Sequence, residues 1–229
     1  LDLISHAGAS VIWYENNSSS KSVADRITFE DYRTSEQNSI CNPECRDEGM
    51  LVNLQSYIDD QNDKDILIIL HTMGSHGPAY YKRYPEEFEV FVPVCKTSQL
   101  NECNDQEISN AYDNTILYAD YFLSKVIGLL KRNSQELDTA MFYVSDHGES
   151  LGENGLYLHG MPYFMAPDEQ IDVPALMWLN DSMSKVFDVE SIKNKEDLPL
   201  SHDNLFHTLL GLMDVETKLY DKSLDLMAK

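Results

Sequence analysis

The chain has 229 residues, of which 17 are basic and 39 acidic, and a formal net charge of −22. A charge of that sign and size argues against general nucleic-acid binding, because phosphates are held by a cationic surface. No apolar run approaches the ~20 residues that span a bilayer, and the length suffices for one domain with a substantial core.

Residues 1–8, ending on Gly8, read as the last turns of a helix closed by a glycine. The chain is therefore expected to begin inside an element, with no initiating Met or charged-then-apolar signal segment ahead of it. Val11-Ile12-Trp13-Tyr14 predicts a strand before an Asn/Ser-rich loop, and residues 49–57 carry apolar side chains at helical spacing. Ile66-Leu67-Ile68-Ile69-Leu70 is the near-continuous aliphatic run of a parallel strand buried on both faces, and it leads directly into His71-Thr72-Met73-Gly74-Ser75-His76-Gly77-Pro78. Residues 110–132 predict a helix whose stripe of Ile116, Ala119, Phe122, Leu123, Val126, Ile127 and Leu130 belongs to the core, with Lys131 and Arg132 at its carboxyl end. Ala140-Met141-Phe142-Tyr143-Val144 predicts a buried strand and residues 173–179 a further one. The polar stretch 181–197 reads as a surface excursion, and Ser201 precedes a helix through Leu205, Leu209, Leu210 and Met213. His202 and His207 read as a capping-region and a helix-surface histidine.

Chemistry-bearing residues follow two of these strands. After the strand at 140–144 come Ser145-Asp146-His147-Gly148-Glu149-Ser150-Leu151-Gly152-Glu153-Asn154-Gly155 and then Leu158-His159-Gly160. Neutral imidazole and carboxylate together suit zinc, the glycines let the backbone fold tightly, and His159 returns to the same neighbourhood. An isolated Asp-His pair is more often a capped turn with a surface histidine. A second strand ending in histidine and glycine alters that weighting. In an open α/β sheet, ligands bind outside the carboxyl ends of the strands, so residues about seventy positions apart can converge. His76, Asp146, His147 and His159 are thus expected at one edge of a mainly parallel sheet. His76, flanked by small residues, is a better ligand candidate than His71, which reads as a satisfied core or supporting histidine.

The run from His71 through Pro78 and on through Tyr80-Tyr81-Lys82-Arg83-Tyr84-Pro85, then Ala111-Tyr112-Asp113-Asn114-Thr115, then Ser145 through His159-Gly160-Met161-Pro162, resembles the lipid A phosphoethanolamine transferases. That family includes the mobile colistin-resistance enzymes, and so implies polymyxin resistance. The resemblance extends to Trp13-Tyr14-Glu15-Asn16-Asn17-Ser18-Ser19-Ser20-Lys21 and Ser201-His202-Asp203-Asn204, covering essentially the whole chain. It implies an α/β fold with a mainly parallel sheet flanked by helices, alkaline phosphatase/sulfatase-like and lacking its amino-terminal part. Residues 1–229 would be the carboxy-terminal portion of a soluble periplasmic catalytic domain. A missing amino-terminal domain would attach it to the periplasmic face of the bacterial inner membrane.

The implied cofactor is Zn2+ and the implied partners are the head groups of phosphatidylethanolamine and lipid A. The implied reaction has two steps: a threonine takes phosphoethanolamine from phosphatidylethanolamine, and a lipid A phosphate then accepts it. The family's early Glu ligand and nucleophilic Thr have no equivalent here. Asp146 and His147 would bind zinc. His76 and His159 would bind the phosphoryl group or a second zinc, or move a proton, and Asn17 and Lys21 would contact the head group. Lys82 and Arg83 are local cations that serve equally well as solvated loop charges. With two ligands and no nucleophile, the isolated polypeptide is expected to bind zinc weakly and not to turn over. The family also has disulfides in loops corresponding to Cys41/Cys45 and Cys95/Cys103, so pairing within each loop is expected in an oxidising compartment; a four-cysteine zinc knuckle is the competing reading. A sulfatase or phosphomonoesterase of the same superfamily, and a non-catalytic binding fragment, are the alternative functions.

Overall fold

The structure is a computed structural model that describes residues 1–61 and 64–228. Its strands are β1 (Ser10–Glu15), β2 (Thr28–Asp31), β3 (Ile66–His71), β4 (Ala140–Val144), β5 (Ser150–Leu151), β6 (Tyr157–Leu158) and β7 (Ala175–Leu179). Its α-helices are α1 (Asp2–His6), α2 (Leu54–Asp59), α3 (Asp105–Asn133), α4 (Asp168–Ile171), α5 (Met183–Val186), α6 (Val189–Lys193) and α7 (Asp203–Leu212).

Alternation along the strands separates two apolar layers. β1 is the centre of a parallel sheet in the order β2-β1-β3, in register such that Tyr14 lies opposite Leu70 and Glu15 opposite His71. Ile12, Tyr14, Ile68 and Leu70 face α2 and α3, where Leu54, Phe122, Val126 and Leu129 complete a core. Val11, Leu67 and Ile69 face the other way, onto Ile4 of α1 and Leu210 of α7. Every residue of β3 is only part-buried, whereas the aliphatic run predicts full burial. Its edge away from β1 pairs with no other strand among the described residues.

The second departure concerns the later strands. β4 pairs with β7 antiparallel, Phe142 opposite Met177, so the run at 173–179 adds an antiparallel ladder to the α/β arrangement. β2 carries the sequence Thr-Phe-Glu-Asp with an exposed outer half; without an aliphatic run it gives no strand signal. The apolar spacing at 49–57 resolves into a 3-10 turn, Asp47–Leu51, followed by α2. Helix α3 starts ahead of its apolar stripe because a reciprocal cap defines its first turn: Asn104 accepts from the Glu107 amide and Glu107 accepts from the Asn104 amide, each at 3.0 Å. The polar stretch 181–197 contains the short α5 and α6.

A satellite core positions the functional loops. Tyr80, Cys95, Leu100, Ile108 and Ala111 are buried together, with Leu151, Tyr157 and Leu158 of the β5–β6 hairpin packed against them. The amino-terminal half of α3 thus supports the loops while its carboxyl half packs on the sheet. Disulfides join Cys41 to Cys45 and Cys95 to Cys103, the pairings expected, and no cysteine is left for a zinc knuckle.

Within α3, the fully buried Asn114 accepts from the amides of Val90 (3.0 Å) and Phe91 (2.9 Å) and donates to the Phe91 carbonyl (3.0 Å). Asn114→Ala removes three hydrogen bonds anchored on a fully buried side chain and should lower the unfolding free energy by about 2–3 kcal/mol. Asn104→Ala, which removes one exposed cap, should cost only about 1 kcal/mol. Urea unfolding of the two variants checks the ranking, and an Asn114→Ala midpoint equal to wild type would contradict it.

Candidate metal centre and active site

Three loops deliver three imidazoles to one place. His76 follows β3, His147 follows β4 and His159 follows β6, and one ligand atom from each lies within 4.8 Å of the others. The rings of His147 and His159 stack with centroids 3.7 Å apart, and His76 meets them edge-on at 6.0 and 5.3 Å.

Each ring has its Nδ1 committed. His76 Nδ1 lies 2.7 Å from the Gly77 carbonyl, His147 Nδ1 2.9 Å from the Gly148 carbonyl, and His159 Nδ1 3.2 Å from Glu149 Oε1. Oxygen acceptors at Nδ1 keep the proton there and leave Nε2 as the lone-pair donor, the arrangement found in metal-ligating histidines. The donor set therefore fits a divalent metal, and three imidazoles suit zinc in particular. Asp146 is the outlying member. Its side chain is 75 % exposed, with Oδ1 3.8 Å from His147 Nε2, and it lies outside the three-imidazole group.

Close backbone approach explains two glycines. A Cβ on Gly77 would come 2.9 Å from the Tyr80 hydroxyl and closer still to Leu158, and one on Gly148 would collide with the Glu169 carbonyl, beside the Gly148 N–H to Gln170 carbonyl bond of 3.0 Å. From below, Thr115 of α3 is hydrogen-bonded through its hydroxyl to Ser75 at 2.7 Å, next to His76. The motif at 111–115 thus supplies loop supports, Asn114 under residues 90–91 and Thr115 under Ser75.

Glu149 and His202 are the residues that sequence reasoning passed over. Glu149 is buried, and its Oε1 accepts from the Gly77 amide (3.1 Å) as well as from His159, tying the β3 loop to the β6 loop. Burial, reinforced by the Glu149 carboxylate, pushes the Tyr80 phenol well above its ordinary range. His202 caps α7 and places Nε2 2.8 Å from the Ser145 carbonyl. Together with Asp146, His147, His159 and Tyr163 it lines a cavity of about 310 Å³. The adjacency of Glu149 to Gly148 and the position of His202 before a helix were visible in the sequence; their contacts were not.

The remaining candidates lie apart from this cavity. His71 Nδ1 is 2.9 Å from the fully buried Glu15, which also accepts from Trp13 Nε1 at 3.1 Å, so His71 is a satisfied supporting histidine. Asn17 donates to the Thr72 carbonyl at 3.2 Å and lines a second cavity, with Lys82 and Arg83. Lys21 sits exposed in a turn at φ +48° and lines neither cavity. His207 accepts the Asp221 amide at 2.9 Å, on the flank of α7.

Residues 3–215 match the sulfatase family. The chain is 48 % identical over 222 residues to phosphatidylethanolamine transferase Mcr-2 of Escherichia coli, covering 94 % of the chain and 40 % of that protein. It is 44 % identical to phosphoethanolamine transferase EptA of Escherichia coli K12, covering 99 % of the chain and 42 % of that protein. The chain therefore spans about two fifths of the length of these curated relatives. Among solved structures, the soluble domain of lipooligosaccharide phosphoethanolamine transferase A from Neisseria meningitidis superposes with a TM-score of 0.92 at 41 % identity, covering 99 % of this chain and 69 % of that one. With the family match running nearly end to end and a transferase domain sharing its fold so closely, the chain belongs to the sulfatase family, among its phosphoethanolamine transferases.

Proposed function

We propose that this chain forms part of a zinc-dependent enzyme that moves phosphoethanolamine from phosphatidylethanolamine to a lipid A phosphate at the periplasmic face of the inner membrane. The convergence of His76, His147 and His159, with every Nδ1 committed to an oxygen, is the observation that carries the reading. The similarity to phosphatidylethanolamine transferase Mcr-2 and phosphoethanolamine transferase EptA supports the transferred group and the donor. Two disulfides suit an oxidising compartment. No helix among the described residues is long and apolar enough to cross a membrane. Exposed Tyr163, Phe164 and Met165 beside the cavity offer an apolar rim suited to a lipid.

In this reading His147 holds zinc at the three-imidazole group with Asp146 beside it at the edge, and His76 and His159 either share the metal or bind the phosphoryl group and hold the proton exchanged with the leaving and attacking oxygens. A bound zinc supplies concentrated positive charge for the phosphoryl oxygens. Glu149 acts through His159: it fixes the ring orientation and keeps the proton on Nδ1. Asn17 and Lys21 contact a lipid head group, of donor or acceptor.

Zinc removal and return tests the centre directly. Chelator-treated protein titrated against a chromophoric zinc indicator should bind the ion, and His147→Ala should weaken binding at least tenfold. Unchanged affinity in that variant would remove His147 from the metal site. In the longer protein reconstituted with phosphatidylethanolamine and lipid A, His147→Ala should lower formation of the amine-bearing lipid A product at least a hundredfold. Release of free phosphoethanolamine to water by wild type, with no modified lipid A, would instead identify a hydrolase.

Glu149→Gln keeps an oxygen for the Gly77 amide but removes the charge that orients His159. It should lower transfer about tenfold and move the pH profile, with the melting temperature nearly unchanged. Equal losses of activity and of folded protein would reduce Glu149 to a packing role.

A further inference from the structure

A second cavity, of about 260 Å³, reaches Met73 of the β3 loop and gathers several of the cations of this acidic chain. Arg33, Arg46, Lys82 and Arg83 all line it, and three of these belong to the chain's five arginines. Arg33 is paired with Asp31, and Lys82 with Glu44 at 3.2 Å. Arg46 and Arg83 form no ion pair among the described residues. Arg46 donates Nη1 to the Lys82 carbonyl and Arg83 donates Nε to the His76 carbonyl, each at 2.6 Å, which leaves further N–H groups of both forks available. The Cys41–Cys45 disulfide closes the loop that presents Arg46, and the buried Asn16 secures it through the Cys45 carbonyl at 3.3 Å. The nearest buried acid, Asp47, has its carboxylate occupied by Asn16 Nδ2 (2.7 Å) and by the amides of Met73 (2.8 Å) and Gly74 (3.1 Å).

Resting on the transferase reading, we infer that this cavity binds the phosphate monoester of the acceptor and holds it beside the imidazole cluster, to which the Arg83–His76 bond connects it. A phosphate monoester carries close to two negative charges at neutral pH and several acceptor oxygens, which guanidinium forks match in pairs. The donor head group suits the same place less well: its phosphodiester bears one negative charge, and its ammonium would be repelled by the unpaired Arg46 and Arg83. The net charge of −22 does not forbid the assignment, because charges beyond ~8 Å are screened at physiological ionic strength.

The test separates this inference from the transferase reading by measuring binding without metal or turnover. Calorimetric titration of the chelator-treated chain uses glucose 1-phosphate as the monoester probe, glycerophosphoethanolamine as the zwitterionic diester, and inorganic phosphate. Glucose 1-phosphate should bind, weaken with added salt, and lose at least tenfold in affinity in Arg46→Gln, while glycerophosphoethanolamine should bind at least tenfold more weakly. Absence of binding in wild type, equal binding by Arg46→Gln of intact circular dichroism, or a preference for the diester would each overturn the proposal. Inorganic phosphate binding more tightly than the ester would overturn the acceptor assignment in favour of a free-phosphate site. In the longer protein, Arg46→Gln should raise KM for the acceptor at least tenfold while KM for phosphatidylethanolamine changes less than threefold; the reverse split would overturn it too.

Discussion

One carboxylate oxygen, Glu149 Oε1, accepts both the Gly77 amide at 3.1 Å and the Nδ1–H of His159 at 3.2 Å. Through it the loop after β3 and the loop after β6 share a single buried acceptor, and the positions of His76 and His159 are coupled. A buried carboxylate is costly unless it is well supplied with donors. Among the described residues its donors are concentrated on that one oxygen, and the neighbouring Gly77 leaves room for no side chain between Leu158 and Tyr80. Burying the carboxylate there carries a desolvation cost that packing elsewhere offsets.

Packing by α3 provides much of that offset. Its 29 residues extend ~44 Å at 1.5 Å per residue, long enough to insert Ile108 and Ala111 into the satellite core and Phe122, Val126 and Leu129 into the sheet core. Between these ends, Asn114 and Thr115 hold the segment at 90–91 and Ser75 by hydrogen bonds. The helix is thus a strut whose one end is fixed by the sheet and whose other end sets the height of the imidazole-bearing loops. The Cys95–Cys103 disulfide closes the loop over that second end.

Charge is distributed to match a lipid phosphate rather than a polyanion. The net charge is −22, yet one cavity is lined by imidazoles and another by guanidinium groups. The apolar tip at Tyr163, Phe164 and Met165 stands beside the first of them. The imidazoles follow strand ends, as expected where ligands bind outside the carboxyl ends of an α/β sheet, and the apolar rim stands next to them.

Much of this was legible in the order of residues alone. Aliphatic runs locate β3 and β4 because the backbone of a strand is hidden only when its side chains are apolar, and the spacing of Phe122, Val126 and Leu130 identifies α3 because those positions share one face. Gly-flanked His76, His147 and His159 following strand ends announce a ligand site through residue chemistry, and the density of the motifs points to the family. The antiparallel pairing of β4 with β7 was not legible, since strand direction depends on hydrogen-bond partners distant in sequence. β2 was missed because Thr28, Glu30 and Asp31 carry no apolar signal and gain their conformation from the neighbouring β1. Glu149, His202 and Arg46 acquire their places only through folding: each is an ordinary polar residue until burial, a carbonyl 57 positions away or a neighbouring guanidinium gives it a role. Sequence determines which groups are able to do chemistry, whereas tertiary structure decides which of them meet, because hydrogen bonds and Coulomb forces act over a few ångströms and not along the chain.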